Sequence, residues 1–215
     1  MDKCDLNCDF CVGFSEGEEY LDRKIKVFRN EFILLSTLGC FREGYCLYMP
    51  VSHKRSFASL AESQLLTVES ELVDLRQRIA TEFSSFVILA EHGPGVNDSG
   101  ASCCDHAHMH LIPVRDPRQV FLQFYKCSDN LQTLNNLSEL SRFREDPYLY
   151  LSCANGQHLV WNNAKPFGRQ FVRRVCADLD GLGPMFNWRI HPFHENMQRT
   201  AIRMRDQFER ELIAV

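Results

Sequence analysis

The sequence predicts an α+β fold: an antiparallel sheet with a long packed helix, followed by a mixed α/β C-terminal extension. Three observations predict it. Short apolar runs separated by turn residues recur between Ile25 and Pro50, the pattern of a meander rather than of βαβ units. From Ser56 to Phe83, the residues Leu60, Leu65, Val68, Leu72, Leu75 and Ile79 recur at helical spacing. Asp105 to Pro113 alternates histidine with small or apolar residues, as a half-buried strand does. With 215 residues, 45% of them hydrophobic, the chain can bury a substantial core.

Composition narrows the class of function. A net charge of −4 exerts no global pull toward nucleic acid or an anionic membrane, and a nucleotide-sized ligand suits it better. No run reaches the roughly 20 apolar residues of a membrane helix, and Met1-Asp2-Lys3-Cys4 lacks the apolar core of a signal peptide. The chain therefore reads as cytoplasmic. In that compartment its ten cysteines stand as reduced thiols or metal ligands rather than as disulfides.

Taken in order, the chain first offers Cys4-Asp5-Leu6-Asn7-Cys8-Asp9-Phe10-Cys11. Its C-x2-C pair supplies two of the four ligands a tetrahedral zinc takes, so two more must come from elsewhere. With Cys4 included, the run also has the cysteine spacing that holds an iron–sulfur cluster in radical S-adenosylmethionine enzymes. Against that alternative, no strand precedes it and the strand–helix alternation of such barrels is missing. Strands are expected at Ile25–Phe28, Phe32–Ser36 and Tyr45–Met49, with a hairpin turn at Asn30-Glu31 and a loop bracketed by Gly39 and Gly44. Met49-Pro50-Val51-Ser52-His53 closes the meander, which makes His53 a candidate ligand beside the cysteine pair. The long helix follows, its interspersed charges reading as a solvated face.

Phe86–Ala90 reads as a buried strand, and Glu91 to Ser102 as a loop rich in small residues. Backbone N–H groups there can approach a phosphate closely, although the spacing is not that of a P-loop. The loop delivers the chain into the histidine row. On an extended strand, His106, His108 and His110 share one face while Ala107, Met109 and Leu111 share the other. An apolar face fixed on a core aims three imidazoles, each able to act as base, nucleophile or ligand, at one point.

Domain boundaries are read at residues 1–116 and 117–215. Beyond Arg115-Asp116-Pro117, residues 120–143 carry mixed helical patterning. Two strands turn at Asn155-Gly156, helices are expected over Phe167–Leu179 and Phe193–Leu212, and Arg169, Arg173 and Arg174 read as a solvated helix face. His191 and His194 lack a third ligand at a sensible spacing and read as loop or cap residues.

The run His106-Ala107-His108-Met109-His110-Leu111-Ile112 resembles the motif of the histidine triad (HIT) superfamily at every position. The strand ending in His53, the helix after it, and Gly100-Ala101-Ser102 ahead of the row support the likeness. The resemblance implies a HIT-like fold, commonly a homodimer, that breaks a bond at a nucleotide α-phosphate. By that likeness His108 is the nucleophile, forming a nucleotidyl-histidine, and His110 holds a non-bridging oxygen. It also implies a structural zinc on Cys8, Cys11, His53 and His106, as in bacterial members that begin with a C-x2-C pair. Ser102 stands where many hydrolases of the family carry glutamine, leaving a hydroxyl as the donor there, and Gly44-Tyr45 replaces a frequent Gly-His. Asn97, Gly100, Ala101 and Ser36 are the expected substrate contacts. Hydrolysis of a nucleoside polyphosphate or phosphoramidate is the first expectation. A transferase or phosphorylase using the same intermediate is the alternative, and a zinc-stabilised nucleotide-binding module with little turnover is the alternative from another class. A cupin-like metal enzyme is disfavoured because residues 111–119 hold no glutamate.

Overall fold

The strands pair where the apolar runs place them. In the computed structural model, residues 8–16, 23–96 and 105–213 are described. A helix α1 (Asp9–Glu16) precedes β1 (Lys24–Phe28), β2 (Phe32–Ser36) and β3 (Cys46–Pro50). A short 3-10 turn then leads into α2 (Glu62–Glu82), β4 (Phe86–Gly93) and β5 (Met109–Val114). The remaining strands and α-helices are α3 (Pro117–Cys127), β6 (Leu131–Leu134), β7 (Tyr148–Ser152), β8 (His158–Asn162), α4 (Phe171–Leu179) and α5 (His194–Ile213), with 3-10 turns at Leu137–Phe143 and Gly183–Phe186. The fold is α+β.

All the strands join one antiparallel sheet of order β1-β2-β3-β5-β4-β7-β8-β6. β4 lies between β5 and β7, so strands on both sides of residue 117 share one sheet. On one face α2 buries Leu65, Val68, Leu72, Leu75 and Ile79 against Tyr48, Leu89, Met109 and Leu111. On the other, Val120 and Phe124 of α3 and Phe171 and Val175 of α4 pack with Ile88, Ala90, Ile112 and Trp161. Two covered faces explain why β2, β3 and β7 are buried at every position instead of alternating with solvent.

Several boundaries differ from expectation for identifiable reasons. The strand at Phe86 runs on to Gly93, because β7 supplies a second ladder in which Glu91, His92 and Gly93 face Tyr150, Leu149 and Tyr148. Conversely, regular pairing in the histidine segment begins only at Met109. The β3–β5 ladder ends at Tyr48↔Met109, two residues short of Pro50, which has no N–H to continue it. Ala107 N–H instead bonds the Lys54 carbonyl at 2.6 Å. Within residues 120–143 the short edge strand β6 interrupts what read as helical pattern, its pairing to β8 supplied by tertiary context rather than by its own sequence.

Candidate functional site

The C-x2-C pair sits at the start of α1, where residues three apart share a helix face. Both thiols are buried and point at the histidine segment. Cys8 Sγ lies 3.4 Å and Cys11 Sγ 3.6 Å from His106 Nδ1, and Cys11 Sγ is 3.4 Å from His53 Nδ1. The donor atoms of Cys8, Cys11, His53 and His106 all fall within 4.8 Å of one another. A tetrahedron with the usual zinc–sulfur and zinc–nitrogen lengths separates its sulfur and nitrogen corners by about 3.5 Å. Two thiols and two imidazoles so spaced could hold a metal ion, and the set is compatible with zinc. Among the described residues every cysteine is free; Cys4 lies outside them.

Backbone carbonyls fix the tautomers of two histidines. His106 Nε2 lies 2.8 Å from the Pro50 carbonyl, which can only accept; Nε2 therefore carries the proton and Nδ1 turns its lone pair to the thiols. His108 Nδ1 lies 2.7 Å from the His106 carbonyl, so by the same reasoning its Nε2 keeps a free lone pair. The half-buried His108 ring stands 4.8 Å from that of buried His110, edge to face. Phe10 of α1 packs against both His106 and His108, which binds the cysteine helix to the row.

Burial dominates the protonation of these rings. It lowers the pKa of His108, partly opposed by the bond to the His106 carbonyl, with Arg173 adding a further lowering. His110 is held well below its ordinary value by burial, then by His108, Arg173 and His92. Both imidazoles are thereby neutral at neutral pH, the state in which nitrogen can attack phosphorus.

Three residues near the row were not singled out as site residues from the sequence. Tyr45, entering β3, places its hydroxyl 2.7 Å from His110 Nδ1. Arg173 of α4 is buried, contrary to the solvated face expected of it. Its guanidinium donates to the Phe186 and Gly39 carbonyls and lies 5.0 Å from the Tyr45 ring centroid. A helical pattern marks the apolar stripe but says nothing of carbonyls brought in by other loops. His92 on β4 is two residues past Ala90, the partner of His110, and so faces the same side as His110. Strand parity would have revealed it had the strand not been ended at Ala90.

The other expected contacts lie apart or outside view. Ser36 is fully buried and its hydroxyl donates to the Met197 carbonyl at 2.8 Å, at the start of α5. Asn97, Gly100, Ala101 and Ser102 lie outside the described residues. His191 and His194 join no cluster of metal-ligating groups among the described residues.

The fold and site define an α+β protein that sets a Cys2His2 donor cluster beside a row of neutral imidazoles. No family model matches the chain and no curated protein matches it. Solved structures similar to it include a Hit-like protein from Bartonella henselae involved in cell-cycle regulation, at 15% identity and TM-score 0.43, over 53% of this chain and 84% of that one. A HIT family protein from Bacillus anthracis is 21% identical with TM-score 0.44, over 52% of this chain and 75% of its own. A hypothetical histidine triad nucleotide-binding protein from Sulfolobus tokodaii is 20% identical with TM-score 0.40, over 51% and 70%. No described helix is long and apolar enough to cross a membrane.

Proposed function

We propose that the chain is a histidine triad nucleotide hydrolase acting at the α-phosphate of a nucleoside polyphosphate or phosphoramidate. The observation that carries this reading is the 2.7 Å contact of His108 Nδ1 with the His106 carbonyl, which leaves Nε2 of a half-buried imidazole free to attack. His108 Nε2 forms a bond to phosphorus as the bond to the leaving group breaks. The resulting charge on the ring is held by the Nδ1–H bond to the His106 carbonyl. His110 donates through Nε2–H to a non-bridging oxygen, and water then resolves the nucleotidyl-His108.

Cys8, Cys11, His53 and His106 would hold a structural zinc. When bound, it ties α1 to the segment before β5 and keeps His106 where its carbonyl meets His108. In this reading residues 1–116 form the histidine triad unit and residues 117–215 the extension. Ser102, Asn97, Gly100 and Ala101 remain the proposed donors around substrate; Ser36, fully buried with its hydroxyl given to the Met197 carbonyl, does not. A cytoplasmic homodimer is the proposed working form.

Intact-protein mass spectrometry after brief mixing with a panel of nucleoside polyphosphates and phosphoramidates tests the reading, with metal content measured on the same sample. Wild type should gain one nucleotidyl mass and His108→Ala none. Bound nucleotide without adduct or turnover in wild type would instead make the chain a binding module.

A further inference from the structure

Two residues beyond Ala90, which pairs with His110, β4 presents His92 to the same side of the sheet as His110. Its side chain is more than nine-tenths buried, and its Nε2 has no hydrogen-bond partner among the described residues. A buried ring nitrogen left so is normally paired, and here it sits in the field of His108 and His110, each of which it influences or is influenced by. The main chain of β4 is held by ladders on both sides, so His92 is placed by rigid elements rather than by a loop.

We propose that His92 is the general base that activates the acceptor water in the second half-reaction. The inference rests on the nucleotidyl-His108 reading above. Water gives its proton to a ring nitrogen of His92 as its oxygen bonds to phosphorus. The phosphorus–nitrogen bond to His108 breaks, its electron pair returns to His108 Nε2, and a nucleoside monophosphate leaves. The proton on His92 then passes to solvent as the monophosphate leaves. Burial, then the neighbouring His108, holds the His92 pKa down to about 4, so the ring is neutral and able to accept. A phosphate anion beside it raises its proton affinity when the base is needed. The surrounding charges at that stage are the cationic nucleotidyl-His108 ring, held by the His106 carbonyl, a neutral His110, and the Arg173 guanidinium, which donates to the Phe186 and Gly39 carbonyls.

The test follows formation and resolution of the mass adduct by rapid quench in wild type, His92→Ala, His92→Asn and His108→Ala. With His92→Ala the adduct should form at close to the wild-type rate and yield to water roughly 100-fold more slowly, so that it accumulates. Azide, which carries no proton to remove, should resolve it at the wild-type rate. His92→Asn, which fills the same space with a polar group, should behave as the alanine variant does, separating base from packing. Resolution by water at the wild-type rate in both variants would overturn the proposal. An equal loss with water and azide would overturn it too, by making His92 structural. No adduct in wild type would sink the parent reading, a result distinct from either.

Discussion

The Tyr45 hydroxyl lies 2.7 Å from His110 Nδ1, and both side chains are buried. Burial pushes the phenol pKa up, so the hydroxyl keeps its proton; Arg173, which can only donate, hydrogen-bonds the phenol oxygen, and the hydroxyl proton is directed to Nδ1. His110 is then left with its proton on Nε2, the tautomer opposite to that of His108. Two adjacent imidazoles of one row thus present a donor and a lone pair.

Tyr45→Phe removes that selection without opening a cavity. Turnover should fall roughly 10- to 100-fold, about 1.4–2.8 kcal/mol in the barrier, with KM little changed. Nitrogen-15 shifts of His110 should move from one tautomer to a mixture. An unchanged spectrum with lowered turnover would place the effect of Tyr45 elsewhere.

The four-ligand cluster predicts a joint effect on stability and chemistry. Chelation, or Cys11→Ser, frees α1 from the segment carrying His106. A loss of about 3 kcal/mol would lower the melting temperature by roughly 6–12 °C in a chain of this size. Adduct formation should slow in parallel, because the His106 carbonyl is no longer held against His108 Nδ1. Calorimetry with metal analysis decides; an unchanged melting temperature after complete metal removal would speak against a structural ion.

Arg173 touches carbonyls from two loops and underlies Tyr45. Arg173→Leu withdraws both donors and the charge beside the phenol, at a cost on the order of 2 kcal/mol. Arg173→Lys should recover little of it, since an ammonium lacks the planar fork that meets both carbonyls. Denaturant midpoints of the two variants check this, and equal midpoints for lysine and wild type would remove the geometric argument.

Arg173 also shows where sequence reading stops. The meander, the long helix, the cysteine pair and the histidine row were legible because each advertises itself through local period or spacing. β2 and β3 came out at nearly their observed bounds, and the Asn155-Gly156 turn, with Gly156 at φ 79°, joins β7 to β8 as expected. Legibility failed where the answer depends on a neighbour. β4 is lengthened by a partner strand from the far side of residue 117. Arg173 is buried by carbonyls, and His92 acquires meaning only when β4 is laid beside β5. A side chain's period tells which face it takes, but not what that face meets.

Glu91 offers a pH test on the opposite face of β4. It is buried, its carboxyl oxygens accepting from the Phe57 N–H at 2.9 Å and from the Tyr148 hydroxyl. Burial raises its pKa to about 8 from 4.5, more than these two bonds lower it. The folded state therefore holds a proton that the unfolded state releases between those values. Within that window the unfolded chain binds fewer protons, so stability falls as pH rises, by at most about 1.4 kcal/mol per pH unit. Glu91→Gln keeps the shape and removes the charge. Its urea midpoint should lie nearer to or below wild type at about pH 5 and above it at about pH 9, with a flatter profile between. The buried His92 acts in the other direction, its lowered pKa costing stability as pH falls from 6.5 toward about 4; the two slopes oppose each other between 4.5 and 6.5, and the Glu91 effect stands clear of it from 6.5 to about 8. Parallel wild-type and Glu91→Gln curves across the alkaline limb would mean that Glu91 is ionised in the native protein and that its two hydrogen bonds outweigh its burial.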